Sequence, residues 1–150
     1  MKTLLLKKSI NTDEAQSMFT ILREILPWKE GIKSRKGFTR LACPINTGDI
    51  PLIDQMLVSV AKSAGITINN ALGIYVNYYK NGEMWTPNHS HKESNQIVIS
   101  LGGTRTLNVG TKSYKMSNGD AIIFGHGIHG VPKESHITEG RISIAAFFEN

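Results

Sequence analysis

Residues 96–127 read QIVISLGGTRTLNVGTKSYKMSNGDAIIFGHG, and this stretch decides the fold. Its β-forming residues come in short runs: Gln96 to Leu101, Thr106 to Val109, Ser113 to Lys115 and Ala121 to Phe124. Turn formers separate them at Gly102-Gly103, at Asn118-Gly119-Asp120 and in the glycines between Gly125 and Gly130. Short strands punctuated this way predict an all-β barrel or double-sheet jelly roll. Ala71 to Tyr79 upstream and Arg141 to Phe148 (RISIAAFF) downstream extend the pattern.

The N-terminal half has a different texture. Leu4 to Lys8 predicts a short strand. Ala15, Met18, Phe19, Leu22, Ile25 and Leu26 recur at helical spacing, so Asp13 to Leu26 predicts an amphipathic helix, capped by Thr12 or Asp13 and ended by Pro27. Pro51 to Ala64 predicts a second helix, with Leu52, Ile53, Met56, Leu57 and Val60 on its apolar side and Gly65 at its C′ position. Between them Trp28 to Asp49 is irregular and basic, with short strands expected around Phe38 to Ala42. No repeat and no linker interrupts the chain. The expected architecture is therefore mainly β with flanking α, the two N-terminal helices packed outside the barrel. One domain spans 1–150, with a helical and substrate-side portion over 1–70 and a barrel core over 71–150.

Bulk properties bound the function. The length of 150 residues is one domain's worth, and 40% hydrophobic residues suffice for a core. Fourteen glycines and five prolines favour turns over a helical bundle. The net charge of +5 permits a polyanionic partner without requiring one. The one cysteine, Cys43, excludes an internal disulfide, has no local base to activate it, and reads as a small half-buried residue. The leucines before Lys7 are too few for a signal peptide, and nothing approaches the ~18 apolar residues of a membrane span. A soluble, cytoplasmic monomer with no membrane partner is expected.

All five histidines, His89, His91, His126, His129 and His136, fall in the β half. His89 and His91 form an H-x-H pair, and in an extended strand residues i and i+2 share a face. Two such imidazoles can share a metal with a third ligand from another strand, and His129 is placed to supply it. Imidazole suits iron, zinc, copper and nickel, so ligand type does not choose the metal. The same spacing also fits ordinary exposed histidines. Arg141 likewise reads two ways. It is either a solvated arginine at a strand start, or a guanidinium projecting into the barrel, where burial demands an anion such as a carboxylate. Asn77 and Tyr79, on one face of an earlier strand, could add hydrogen bonds to that anion.

Six motifs in order carry a resemblance. They are Asn77-Tyr78-Tyr79-Lys80-Asn81-Gly82, His89-Ser90-His91-Lys92-Glu93, Ile97 to Gly102, Ser117 to Ile122, His129-Gly130-Val131-Pro132-Lys133 and Gly140 to Ile144. This series resembles the AlkB-like branch of the iron and 2-oxoglutarate dioxygenases, over roughly the C-terminal half of the chain. The resemblance implies a double-stranded β-helix. It implies Fe(II) held by His89 and His129, and 2-oxoglutarate held by Arg141, Asn77 and Tyr79, with O2 as second co-substrate. It further implies hydroxylation of a C–H bond, and demethylation of a nucleic-acid base that is flipped out or single-stranded.

Two positions depart from the family's pattern. His91 stands where the family has an aspartate; it is expected to ligate itself, sharing a face with His89, with Glu93 as the substitute. Phe147 stands where the family has a second arginine, and Ser143 where an asparagine is usual, so Arg141 is left as the clear anion partner with Ser143 beside it. On the substrate side, Trp28, Arg35, Phe38 and Arg40 could stack on bases and contact phosphates; an ordinary basic surface explains them equally. A small-molecule or protein hydroxylase, or a degenerate module that binds metal or ligand without turnover, fits the same scaffold.

Overall fold

The computed structural model describes residues 1–30, 33–34, 37–68, 73–90 and 95–149, with the side chains of 33–34 and 37–38 left out. Its elements run β1 (Leu4–Leu6), α1 (Thr12–Ile25), β2 (Lys29–Glu30), β3 (Lys33–Ser34), β4 (Gly37–Phe38), β5 (Leu41–Ile45), α2 (Pro51–Ser63), β6 (Gly73–Tyr79), β7 (Thr86–His89), β8 (Asn95–Gly102), β9 (Arg105–Val109), β10 (Lys112–Met116), β11 (Ala121–Phe124), β12 (His129–Val131) and β13 (Arg141–Phe148). Among the described residues a seven-stranded sheet has the order β1-β11-β8-β13-β6-β5-β2, and a four-stranded sheet the order β10-β9-β12-β7. The ladders of both sheets are antiparallel. Strands from the first and second halves of the chain share the large sheet. This is the expected mainly β, double-stranded β-helix architecture.

The period-2 alternation of the strands sorts side chains into two cores. On one face of the large sheet Ile97, Ile99 and Leu101 of β8, Ile142, Ile144 and Ala146 of β13, and Ile74 and Val76 of β6 pack with Met18, Phe19 and Leu22 of α1 and Ile53, Met56 and Val60 of α2. On the other face Val98, Ile122, Phe124, Ala145 and Tyr79 pack with Leu107, Met116 and Val131 of the small sheet. The helices therefore lie outside and the second core lies between the sheets. Because β8 and β13 are buried on both faces, any polar residue of the inner parity is forced into the space between the sheets.

The helices match the predicted spans with local differences. Asn11, not Thr12 or Asp13, caps α1: its Oδ1 accepts from the backbone N–H of Asp13 at 2.9 Å and of Glu14 at 3.3 Å. A one-residue advance around a helix is about 100°, which turns Leu52 away from the face that carries Ile53, Met56 and Leu57; Leu52 is exposed, and so is Ile25 at the end of α1. The short strands expected around Phe38 to Ala42 are β4 (Gly37–Phe38) and β5 (Leu41–Ile45), the latter paired with β6. Gly65 takes a positive φ of 71° at the end of α2, as a C′ glycine does. Cys43 is buried rather than half-buried. No described helix is long and apolar enough to cross a membrane.

One buried ion pair locks the small sheet to its neighbours. Arg105, at 1% exposure, has every guanidinium nitrogen engaged. Nε donates to Glu134 Oε1 (3.3 Å), Nη1 to the Asn81 carbonyl (3.1 Å), and Nη2 to those of Met84 (2.7 Å) and Pro132 (2.8 Å). Glu134 also accepts from the Thr106 backbone N–H at 2.7 Å and its hydroxyl at 3.2 Å. Gly82 fits beneath, its N–H donating to the Ile137 carbonyl and its own carbonyl accepting from Glu134 N–H; a side chain there would meet the Glu134 backbone. Burial pushes the Glu134 carboxyl up, but the Thr106 N–H, the Arg105 guanidinium and the Thr106 hydroxyl hold it below its ordinary value overall. A depressed carboxylate pKa contributes stability above the unfolded pKa, about 4.3, and loses it as pH falls through the folded value. Glu134→Gln is thus expected to cost about 2–4 kcal/mol at pH 7, since it strands a buried guanidinium. Urea unfolding across a pH series should show the gap to wild type narrowing below about pH 4; a gap independent of pH would refute the ion pair's role.

Candidate functional site

A cavity of about 520 Å³ opens between the two sheets, a size suited to a small molecule. The large sheet supplies one wall by parity: Tyr75, Asn77 and Tyr79 from β6, Arg141, Ser143, Ala145 and Phe147 from β13, and Gln96 and Val98 from β8. The small sheet supplies His89, His129, Val131 and Leu107, and Arg40, just before β5, closes a flank. Two guanidiniums and no described carboxylate line this space, so it favours an anion.

Arg141 sits deepest, at 1% exposure. Its Nε donates to Ser100 Oγ at 2.8 Å, while Nη1 and Nη2 are buried with no hydrogen-bond partner among the described residues. Its guanidinium lies 5.4 Å from the Tyr79 ring centre. Burial pushes its pKa down to about 10, only partly opposed by Tyr79; the group still carries its charge at neutral pH. Of the two sequence readings, the solvated strand-start arginine is excluded. A charged fork with two orphaned donors in a cavity wall is what a carboxylate would complete.

Cross-strand register builds the surroundings. Ser143 stands opposite both Asn77 on β6 and Ser100 on β8, giving a polar row beside Arg141. Arg141 itself pairs with Tyr79, whose hydroxyl shares a 2.6 Å hydrogen bond with Thr86 Oγ1. Arg40 Nε donates to Asn77 Oδ1 at 3.1 Å and its Nη1 to Thr39 Oγ1 at 3.0 Å.

His89 and His129 face each other directly across the β7–β12 ladder, with ring centres 4.3 Å apart. In each ring Nδ1 contacts a carbonyl two residues earlier, Pro87 O at 2.8 Å for His89 and Gly127 O at 2.9 Å for His129. A carbonyl only accepts, so Nδ1 carries the proton and the neutral ring keeps its lone pair on Nε2. This is how metal-binding histidines are usually oriented. The Nε2 of His129 lies 3.0 Å from the Gln96 amide nitrogen, which donates to it; a metal on that nitrogen has to displace the amide. Two imidazoles facing each other across adjacent strands fit a divalent ion. Among the described residues no third His, Cys, Asp or Glu joins them. His91 and Glu93 lie outside the described residues, so the third-ligand expectation falls there.

The remaining predicted residues divide. Asn77, Tyr79, Ser143, Arg141 and Arg40 meet at the cavity. Trp28 does not: its ring packs 5.3 Å from Tyr78 on the helix side of the large sheet, and its Nε1 donates to the Arg23 carbonyl at 3.2 Å. Arg35 and the side chain of Phe38 lie outside the described residues. Sequence reading missed Gln96, Thr86, Arg105 and the strands β7 and β12. Gln96 was recoverable, because it shares strand parity with Ser100; Arg105 was not, because its partners come from two distant segments.

The sequence matches no protein-family model and no curated protein. The fold, by contrast, matches solved structures over nearly its whole length. OsALKBH1 aligns over 97% of this chain and 97% of its own, with TM-score 0.73 and 13% identity. A Pseudomonas putida prolyl-4-hydroxylase aligns over 99% of this chain and 92% of its own, with TM-score 0.67 and 12% identity. An oxidoreductase of the 2OG-Fe(II) oxygenase family from Burkholderia pseudomallei aligns over 98% of this chain and 85% of its own, with TM-score 0.65 and 14% identity. At these identities the likeness is one of fold, and the fold this chain shares with them is the double-stranded β-helix of the 2-oxoglutarate and iron oxygenases.

Proposed function

We propose that this chain is an Fe(II)- and 2-oxoglutarate-dependent dioxygenase of the AlkB-like branch, one domain over residues 1–150, acting as a cytoplasmic monomer on a nucleic-acid base. The observation that carries the enzymatic reading is Arg141, a buried cation with two unmet donors in the wall of a cavity that also presents two correctly oriented imidazoles. His89 and His129 would hold the iron, with His91 completing the set or Glu93 in its place. Arg141 binds the far carboxylate of 2-oxoglutarate, and Asn77, Tyr79 and Ser143 orient it. Val98, Leu107, Val131 and Ala145 keep water from the cavity, which strengthens each of these contacts. The iron, when bound with the oxo acid and O2, supplies the oxidising power for the substrate C–H bond.

Placement of Trp28 on the helix side removes one stacking group from the nucleic-acid reading. The cavity mouth carries instead an edge-to-face pair, Tyr75 and Phe147, with ring centres 5.9 Å apart. It is the loss of Trp28 as a stacking group that favours a small-molecule or protein hydroxylase as the second reading.

Anaerobic Fe(II) with 2-oxoglutarate is expected to give a visible charge-transfer band in the wild type and none in His129→Ala. No band, together with no succinate formed from 2-oxoglutarate after O2 is admitted, would leave only a non-catalytic binding module. Arg141→Met should stabilise the ligand-free protein by about 1–4 kcal/mol in urea unfolding, since it removes an unpaired buried charge. The same variant should lose the stabilisation by 2-oxoglutarate, about 2.7 kcal/mol at one hundred times Kd; if it is still stabilised, Arg141 is not the anchor. Binding to a single-stranded oligonucleotide should weaken steeply with salt, whereas a flat response selects the second reading.

A further inference from the structure

Besides Arg141 the cavity holds a second guanidinium, delivered from just before β5. β5 pairs with β6 so that Ala42 opposes Asn77 and Leu41 opposes Tyr78. Alternation then puts Arg40, just before β5, on the cavity side with Ala42, and Arg40 does line the cavity. Its head is held at two points, Nε on Asn77 Oδ1 and Nη1 on Thr39 Oγ1, and Nη2 has no hydrogen bond to a described residue. Holding Asn77 by its oxygen turns the Asn77 amide nitrogen to the other side as a donor. The half-buried Arg40 and the deep Arg141 thus present two separate cationic contacts around one anion-favouring space.

We propose that Arg40 is a specificity-determining residue: it supplies the second cationic contact for the bound acid, so that the cavity selects dicarboxylates over monocarboxylates. This rests on the oxo-acid reading of the cavity. One carboxylate takes the orphaned Nη donors of Arg141, and the other takes Arg40 with the Asn77 amide it orients. A monocarboxylate satisfies Arg141 alone, because leaving that buried charge unpaired is the larger loss.

The test is equilibrium binding of glutarate, 2-oxoglutarate and butyrate to the full chain, by calorimetry and ligand-observed NMR, anaerobically with Fe(II) present. Arg40→Gln should weaken glutarate and 2-oxoglutarate roughly tenfold, the scale of one charge-assisted hydrogen bond, and leave butyrate unchanged. Arg40→Lys, which keeps the charge, should recover most of the loss. A merely structural role would move all three acids together. An unaltered glutarate-to-butyrate ratio in Arg40→Gln, or an Arg40→Lys variant as weak as Arg40→Gln, overturns the inference while the oxo-acid site stands. A wild type that binds none of the three acids overturns both.

Discussion

A buried guanidinium with two unmet donors is the constraint around which this structure is arranged. Taking a charge out of water costs several kcal/mol after relaxation, and nothing among the described residues returns that energy to Nη1 and Nη2 of Arg141. Arg105 shows that the same fold can fully satisfy such a group. It is equally buried, lies 5.2 Å from the same Tyr79 ring, and gives its protons to one carboxylate and three carbonyls. The two arginines share an environment and differ in completion. One is a finished structural contact, and the other leaves two donors unmet in a cavity wall.

That difference follows from where each residue enters the sheets. Arg105 starts β9, which pairs with β12 at Asn108 and Val109, so its own end of the strand lies within reach of the β6–β7 connection and the segment after β12, whose backbone carbonyls accept from it. Arg141 starts a central strand flanked on both sides by partners, so the nearby backbone is already paired in the ladders with β6 and β8. Its side chain can meet only other side chains of the inner parity. Those are neutral: Ser100, Ser143, Asn77 and the Tyr79 ring. The position supplies a donor surface without a counter-charge, as an acid-binding wall requires.

Much of this could be read in the sequence. Alternation in QIVISL and RISIAAFF separates the two faces directly, and Asn77 with Tyr79, and Arg141 with Ser143, fall on the inner parity as i and i+2 pairs. The helical stripes of α1 and α2 were equally plain, apart from residues such as Leu52 and Ile25 at the margin of the apolar face. What could not be read depends on contacts between segments. β7 and β12 are short and carry Pro87 and Gly130, so they lack the run of β formers that marks a strand; pairing with each other makes them strands. The aromatic and basic character of the segment beginning at Trp28 suggested a stacking surface. Packing on Tyr78 decides the position of Trp28, and neither residue's chemistry alone announces that choice. Arg40 meets Asn77 only because β5 lies beside β6, which no local pattern encodes.

The two halves of the site lie on different sheets, and this has a mechanical consequence. The imidazoles belong to β7 and β12 of the small sheet, whereas Arg141, Asn77 and Ser143 belong to the large one. Side chains lining the cavity bridge the gap at Gln96 to His129 and at Tyr79 to Thr86. A metal on the histidines displaces the first of these bridges, since the Gln96 amide uses the same nitrogen. A diacid reaching from the metal side to Arg141 would replace it with contacts to both sheets. Binding would then do two things at once: neutralise a buried charge and reconnect the sheets across the space between them. Under the proposed function, stability and function would be coupled through one residue, because the energy forgone at Arg141 in the ligand-free fold would be the energy available to hold the acid.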